Sequence, residues 1–290
     1  MSTVRVYKST DPGAPPHPSR TRGSMAALLR ACLVTGWTSG DFTAAPAGWE
    51  EPYTETNNYA CFRALSGVRQ FYQIDDNQSD ADCAKLISCD SMSDAQTCIG
   101  LHGNHYLGKI YDSASSTEWL VIADERTCYL FLRSKYNLCP QGFGEYRSTL
   151  ADDPYCAFIS GQDSDSSLGT NMGLMTTSKT ITVVSTSASR RLIFPGVGSD
   201  NIYAVNGTYN CRAIGSEDYP VVPGWIGYGS RVIGNLPGWY WPIAYRPKSH
   251  LEEFTVNDRT FLSINVASRG HSTETVYMGQ VFIDITGSWE

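Results

Sequence analysis

The sequence predicts a mainly β fold, a β-sandwich or irregular β-sheet, with one short packed α-helix near the N-terminus. Glycine (26 residues), proline (14 residues) and aromatic residues (12%) are plentiful along the 290 residues, which is typical of strands joined by turns. Short apolar runs, several with period-two alternation, recur from residue 59 to residue 285. Residues 24–34 have the periodicity of an amphipathic helix.

The helix is predicted over Ser24–Val34. Its apolar face combines positions i, i+3, i+4 and i+7, namely Met25, Leu28, Leu29 and Cys32. Ser24 suits the N-cap, and Gly36 suits a left-handed C-terminal cap. Because a lone helix of three turns is marginal in water, it must pack on a sheet or on a partner chain, and we favour the sheet.

Strands account for most of the remaining chain. Val4–Tyr7 is predicted to form the first strand, which ends before a proline-rich arm at Pro12–Pro18 because proline lacks the amide donor. Such an arm can extend over a neighbouring chain or form a surface loop. The clearest hairpin is Trp119–Leu132, in which two apolar runs flank Asp124–Arg126. Further predicted strands are Tyr59–Ala64, Arg69–Asp75, Lys85–Ser88, His105–Tyr111, Cys156–Ser160, Lys179–Val184, Asn201–Val205, Thr260–Ala267 and Thr275–Ile285. The last is either a strand pair or one bulged strand, with a bend at Gly279.

Two stretches have no clear periodicity. Ser160–Met175 is rich in serine, aspartate and glycine and is predicted to be a surface loop. Gly215–His250 mixes tryptophans with prolines and glycines, and we expect it to be irregular. We divide the chain into residues 1–22 (first strand and arm), residues 23–150 (helix and first β lobe) and residues 151–290 (second β lobe); the two lobes can also form one domain.

Charge and hydropathy exclude several classes of partner. The net charge is −7, and lysine and arginine are scattered, so we expect no nucleic-acid binding, which needs concentrated positive charge. No apolar run approaches the ~18 residues of a membrane span, so we expect no membrane partner. Residues 1–7 lack the apolar stretch of a signal peptide, and we therefore expect synthesis in the cytoplasm.

Nine cysteines are many for a cytoplasmic product. None forms a Cys-x-x-Cys pair, which argues against a zinc ribbon or a redox motif of that type. We expect buried free thiols that act as small apolar side chains; the alternative is disulfides formed after release from the cell into an oxidising environment, for which Cys83, Cys89 and Cys98 are the first candidates. The full set is Cys32, Cys61, Cys83, Cys89, Cys98, Cys128, Cys139, Cys156 and Cys211.

No constellation of residues indicates catalysis or metal binding. His102 and His105 have the spacing of two zinc ligands but no companion ligands, so turn residues are the simpler interpretation. Five aspartate and asparagine residues crowd Asp75–Asp82 without the order of a calcium loop, namely Asp75, Asp76, Asn77, Asp80 and Asp82. The chain has no Gly-x-Ser-x-Gly motif, and no carboxylate pair stands out for glycan cleavage. We therefore expect no enzyme, no cofactor and no metal site.

Three tryptophans suggest one alternative role. Trp225, Trp239 and Trp241 can stack on a glycan if they form an open shelf on the surface. Such residues more often fill a core or a subunit interface, and the sequence leaves the choice open.

Four segments resemble a family of virion structural proteins of tailed bacteriophages of proteobacteria. They are Val4–Pro15, the helix segment Gly23–Trp37, the strand Gln70–Asp76 and the hairpin Trp119–Phe131. Weaker similarity is found at Leu236–Gly238 and Gly279–Ile283. The cysteine content and the proline-rich insertion depart from the family pattern. No catalytic or ligand-binding residue is carried over from the family.

The resemblance implies a structural component of a tailed-phage virion. It would assemble by protein–protein contacts in many symmetric copies, as part of the tail, collar or baseplate. Its partners would be other virion proteins and further copies of itself, and its location would be the virion. The alternatives are a capsid decoration protein and a receptor-binding or glycan-binding appendage that recognises a host surface glycan.

Overall fold

The fold is described from a computed structural model. The described residues are 3–54, 58–78, 82–109, 117–133, 138–149, 157–162, 172–177, 190–193, 221–228, 231–242, 248–269 and 276–289. Over these ranges the protein is mainly β with one short helix near the N-terminus, as the sequence predicts.

The helix is shorter than predicted and ends in a wider turn. α1 spans Ser24–Arg30 and is followed by one turn of π-helix, Ala31–Thr35. The predicted apolar face is confirmed, since its four side chains are at most 1% exposed. Gly36 ends the segment with a φ of 65° but an extended ψ of −172°, so it is not the left-handed cap that the sequence suggested.

The N-terminus of α1 is capped by a residue from elsewhere in the chain. The prediction that Ser24 is the N-cap is wrong, because its hydroxyl bonds the backbone of Ser19 instead. Asp76, which follows a strand, accepts a hydrogen bond from the Met25 amide at 2.8 Å. Its other carboxylate oxygen lies 2.7 Å from Nζ of Lys109, and neither side chain is exposed. This carboxylate therefore joins the helix to the sheet.

The first group of strands curls around α1. Successive antiparallel pairs join β4 to β8, and a second run joins β13, β11, β10, β9 and β1. β14 pairs with β13, and β2 and β3 form a separate two-stranded sheet. The bounds are β1 Arg5–Lys8, β2 Trp37–Ser39, β3 Phe42–Ala44, β4 Trp49–Glu50, β5 Tyr59–Ala64, β6 Phe71–Asp75, β7 Cys83–Met92, β8 Cys98–Gly108, β9 Trp119–Ala123, β10 Thr127–Arg133, β11 Leu138–Glu145, β12 Arg147–Ser148, β13 Ala157–Gln162 and β14 Met172–Thr177.

The predicted hairpin Trp119–Leu132 is confirmed as β9 and β10, and it lies between two cores. Asp124 forms its turn by accepting the amides of Arg126 and Thr127. Alternate side chains such as Val121 face the helix-side core, whereas their neighbours face the second core. Because both faces are buried, the strands are continuously apolar rather than alternating.

The second group of strands covers the far face of that hairpin. β17 pairs with β16, β12 and β20, and β20 continues through β19 to β18. The prediction that Gly215–His250 is irregular is wrong where the chain is described, because β16 and β17 form a bulged hairpin there. The bounds are β15 Arg190–Ile193, β16 Val221–Tyr228, β17 Arg231–Pro242, β18 Glu253–Val256, β19 Arg259–Arg269 and β20 Val276–Asp284.

The other sequence predictions fall partly inside and partly outside the described residues. The loop predicted for Ser160–Met175 is wrong at both ends, because β13 extends to Gln162 and β14 begins at Met172. β20 is one strand whose pairing with β19 continues in register past Gly279. The strands predicted at Lys179–Val184 and Asn201–Val205 lie outside the described residues. The boundary between residues 150 and 151 also lies there, and the division into lobes stays a prediction.

A polar clamp joins the two groups of strands. Glu118, at the start of the central hairpin, lies 2.9 Å from Nε2 of His250 and 3.2 Å from a guanidinium nitrogen of Arg133. The Asn265 amide donates to Nδ1 of His250, so the ring proton is on Nε2 and is donated to Glu118. These partners, His250 first, hold the pKa of Glu118 below its ordinary value.

We expect the substitution Lys109→Met to lower the free energy of unfolding by about 3–5 kcal/mol, because it leaves the Asp76 carboxylate buried without its cation. Urea denaturation measures the change. The matched control is Arg20→Met, whose partner Asp82 lies at 2.6 Å but whose own side chain is 70% exposed. That control should cost about 0–1 kcal/mol. Equal losses in the two variants would contradict the role assigned to the buried pair.

We expect Glu118 to contribute acid-dependent stability. Because its pKa is lowered in the folded state, the contribution is fully present above its ordinary value of 4.5 and is lost as the pH falls through the folded pKa. Glu118→Gln should therefore flatten the decline of the urea midpoint below about pH 4.5. Glu253→Gln, at an exposed acid on β18, is the control and should leave the profile unchanged. An unchanged profile in Glu118→Gln would refute the clamp.

Candidate functional site

The candidate site is the outer end of the β7–β8 hairpin, residues 89–102, which we call the hairpin end. It lies against β5 and β6 on the face away from α1. Gln73 Nε2 donates to the Ala95 carbonyl at 2.6 Å, and the Tyr53 hydroxyl donates to the Met92 carbonyl at 2.7 Å. Ala95 is fully buried. The turn of the hairpin is thus fixed on the sheet, which positions the side chains that follow it.

Beneath the hairpin end lies a small sulfur-rich core, which we call the thiol cluster. Its members are three cysteines and one methionine: Cys61, Cys89, Cys98 and Met92. The Cys61 thiol lies 3.0 Å from the Met92 sulfur, and the Cys89 and Cys98 thiols hydrogen-bond each other. Cys98 also lies 3.5 Å from Oε1 of Gln73. Cys61 and Cys89 are fully buried, whereas Cys98 is half-buried.

The three thiols differ in acidity. Burial raises the pKa of Cys61 to about 12. The hydrogen bond with Cys98, together with burial, raises the pKa of Cys89. The same hydrogen bond lowers the pKa of Cys98, and the nearby Lys85 ammonium adds to the effect. The partly accessible sulfur is therefore the one most readily ionised, which is the order that a reactive thiol and its neighbour require.

The outer face of the hairpin end exposes two large apolar side chains. Ile99 is 52% exposed and Leu101 is 58% exposed, and the two residues are two positions apart on β8. Beside them His102 Nε2 lies 2.7 Å from a carboxylate oxygen of Asp90 on β7. Gly100, between the two apolar residues, has a φ of 69°, and an added Cβ would lie 2.4 Å from Asp90 Oδ2. The backbone therefore approaches Asp90 closely.

The residues considered for metal binding have other roles in the structure. His102 and His105 are both on β8, not in a turn, and they differ in burial, since the His102 side chain is 22% exposed beside Asp90 whereas His105 is 3% exposed. Asp76 and Asp82 each face a cation, Lys109 and Arg20 respectively. Among the residues that the structure describes, no group of three or more His, Cys, Asp or Glu side chains is arranged to hold a metal ion.

Two of the three tryptophans considered for glycan stacking lie inside the protein. Trp239 and Trp241 are each 5% exposed, so they do not form an open shelf. Trp239 stacks on Phe131 with ring centroids 5.9 Å apart and meets Tyr129 edge-on at 5.2 Å. They fill the core between the central hairpin and the second group of strands. Trp225 is on β16, and its side chain lies outside the described residues.

The expectation of buried free thiols is confirmed for most of the cysteines described. Seven are free, and of these only Cys98 is more than slightly exposed. Cys156 and Cys211 lie outside the described residues. Of the three cysteines that the sequence singled out, Cys89 and Cys98 meet in the thiol cluster, whereas Cys83 lies at the other end of β7.

The sequence did not identify Cys61 as a neighbour of Cys89, nor the exposed pair Ile99 and Leu101. The signal for the exposed pair was present in the sequence, since Ile99 and Leu101 flank Gly100 in a short apolar run. The packing of Cys61 depends on the turn of one hairpin lying on another, and no local pattern reports that contact.

In comparisons with known proteins, no family model and no curated protein matches this chain. No helix within the described ranges is long and apolar enough to cross a membrane.

We expect Gly100→Ala to destabilise the hairpin end through both backbone strain and contact with Asp90. Gly40→Ala is the matched control, because Gly40 also has a positive φ of 58° but open space around its Cβ position. The control should cost about 1–2 kcal/mol from backbone strain alone. Gly100→Ala should cost on the order of 1 kcal/mol more, since moving Asp90 breaks its bond to His102. Urea denaturation compares them, and equal losses would contradict the close approach.

Proposed function

We propose that this protein is a structural component of a tailed-phage virion that assembles through protein–protein contacts in many symmetric copies. We further propose a position in the tail, collar or baseplate. The resemblance of Gly23–Trp37 and Trp119–Phe131 to such proteins supports the proposal. These segments are α1 and the central hairpin, the two elements on which the main cores are built.

The single observation that carries the assembly proposal is the exposed pair Ile99 and Leu101. These two apolar side chains are each more than half exposed and lie two positions apart on one strand, so covering them with a partner lowers the free energy. A component of a symmetric particle needs such surfaces, whereas an enzyme needs a catalytic constellation. The pair lies on a hairpin end that is fixed to the sheet, so a contact there orients the whole protein.

We take the occupant of this surface to be a second copy of the same chain. A two-fold contact places the same elements opposite each other, so the apolar pair of one copy faces that of the next. The flanking charges suit this arrangement, because Asp90 of one copy can face His102 of the other. Asp90 is 49% exposed, which leaves its carboxylate available for a second partner.

We expect the protein to form a defined oligomer that the double substitution Ile99→Ser and Leu101→Ser dissociates. Size-exclusion chromatography with light scattering measures the mass. Leu65→Ser is the matched control, since Leu65 is 54% exposed but lies elsewhere, and it should leave the oligomer intact. Thermal unfolding should be similar in all variants, because the three side chains are already exposed.

A wild-type monomer at high concentration, or an oligomer unaffected by the double substitution, would contradict self-association through this surface. The wider proposal is tested separately by mass spectrometry of purified particles of a phage that encodes the chain. We expect the chain in many copies per particle. Its absence from the particles would overturn the virion role.

A further inference from the structure

We propose that Cys89 and Cys98 form a redox site, in which a peroxide oxidises the two thiols to an intramolecular disulfide that a small thiol reverses. The inference does not depend on the proposed virion function. It rests on the packing of the thiol cluster and on the different accessibility of its three thiols.

The first argument is proximity. Cys89 and Cys98 come from adjacent antiparallel strands, and both side chains pack in the same small core, where the two thiols interact. The pairing of β7 and β8 shifts between Ser88 and Cys89, which changes the local direction of the side chains. Met92 opposite Cys98 and Phe71 opposite Cys89 complete the packing around the two sulfurs. The two thiols are therefore already neighbours before any oxidation.

The second argument is that the two thiols have complementary environments. Cys98 is half-buried at the edge of the cluster, where Lys85 favours the thiolate, so this sulfur is the attacking group. Cys89 is fully buried and its pKa is raised, so it is oxidised only by reaction with the oxidised Cys98 sulfur and not by the peroxide itself. The arrangement is that of an attacking thiol and a resolving thiol.

The chemistry balances with a peroxide as the oxidant. The Cys98 thiolate attacks one peroxide oxygen, the O–O bond breaks, and the sulfur becomes a sulfenic acid while the other oxygen leaves and takes up a proton to form water. The Cys89 sulfur then attacks the sulfenic sulfur. The S–S bond forms, the S–O bond breaks, and the departing hydroxide takes the Cys89 proton as a second water. Two thiols are oxidised and one peroxide is reduced.

The third thiol serves as an internal control. Cys61 lies in the same cluster but is fully buried, and its thiol contacts the Met92 sulfur at 3.0 Å. We therefore expect Cys61 to remain reduced when Cys89 and Cys98 are linked.

The test is peptide mapping of the full-length protein after treatment with hydrogen peroxide and alkylation of the remaining thiols. Residues 86–109 form one tryptic peptide that contains both cysteines, and oxidation should lower its mass by two hydrogen atoms without alkylation. Cleavage before Asp90 and Asp94 separates Cys89 from Cys98, so the two fragments should stay joined until a thiol reductant is added. This measurement on the unaltered chain needs no variant to fold.

Variants assign the two roles. In Cys89→Ala, the sulfenic acid on Cys98 cannot be resolved, so a dimedone adduct should accumulate on Cys98. In Cys98→Ala, both the link and the adduct should be lost. Cys61→Ala is the control and should form the link as the unaltered chain does.

Three results would overturn the proposal. One is a disulfide that contains Cys61, and another is a cross-chain disulfide, seen as a covalent dimer on a non-reducing gel. The third is oxidation of Met92 or over-oxidation of Cys98 with no intramolecular link.

Discussion

The buried pair of Asp76 and Lys109 is the interaction on which the helix side of the fold depends. A seven-residue helix has almost no stability of its own, and its N-terminal amides need an acceptor. Asp76 supplies that acceptor from the end of β6, and its burial raises its pKa despite the ammonium beside it. Lys109 follows β8, so one carboxylate joins a helix and two strands that are distant in the chain. Because either charge would be costly to bury without the other, the pair favours the observed position of the helix.

The central hairpin has the corresponding role for the rest of the molecule. β9 and β10 are buried on both faces, so this one hairpin contributes side chains to both cores. On one side Val121 and Leu130 belong to the core that contains the apolar face of α1, and on the other Phe131 packs against Trp239. The Glu118 clamp then holds the second group of strands at the start of the same hairpin. Trp239 and Trp241, for which the sequence left a glycan-binding surface open, fill this second core.

How much of this could be predicted from sequence depended on the range of the determining contact. The apolar face of α1 and the turn at Asp124 follow from residues a few positions apart, and both predictions are confirmed. The cap on α1 comes from a residue 51 positions away, so the local rule that favours Ser24 gave the wrong answer. β17 was missed because its glycines and prolines mimic a loop, although bulged pairing with β16 accommodates them. The site divides in the same way, with Cys89 and Cys98 anticipated and Cys61 not.

The hairpin end combines two properties that follow from one structural cause. Its turn is held on the sheet by Gln73, so the hairpin end covers the thiol cluster while Ile99 and Leu101 remain exposed to solvent. Cys98 is the direct neighbour of Ile99 in β8. A covalent link from Cys98 to Cys89 would therefore restrict the strand that carries the exposed pair, and less conformational entropy would be lost when a second copy covers that pair. If both proposals hold, oxidation of the two thiols would therefore strengthen the self-contact.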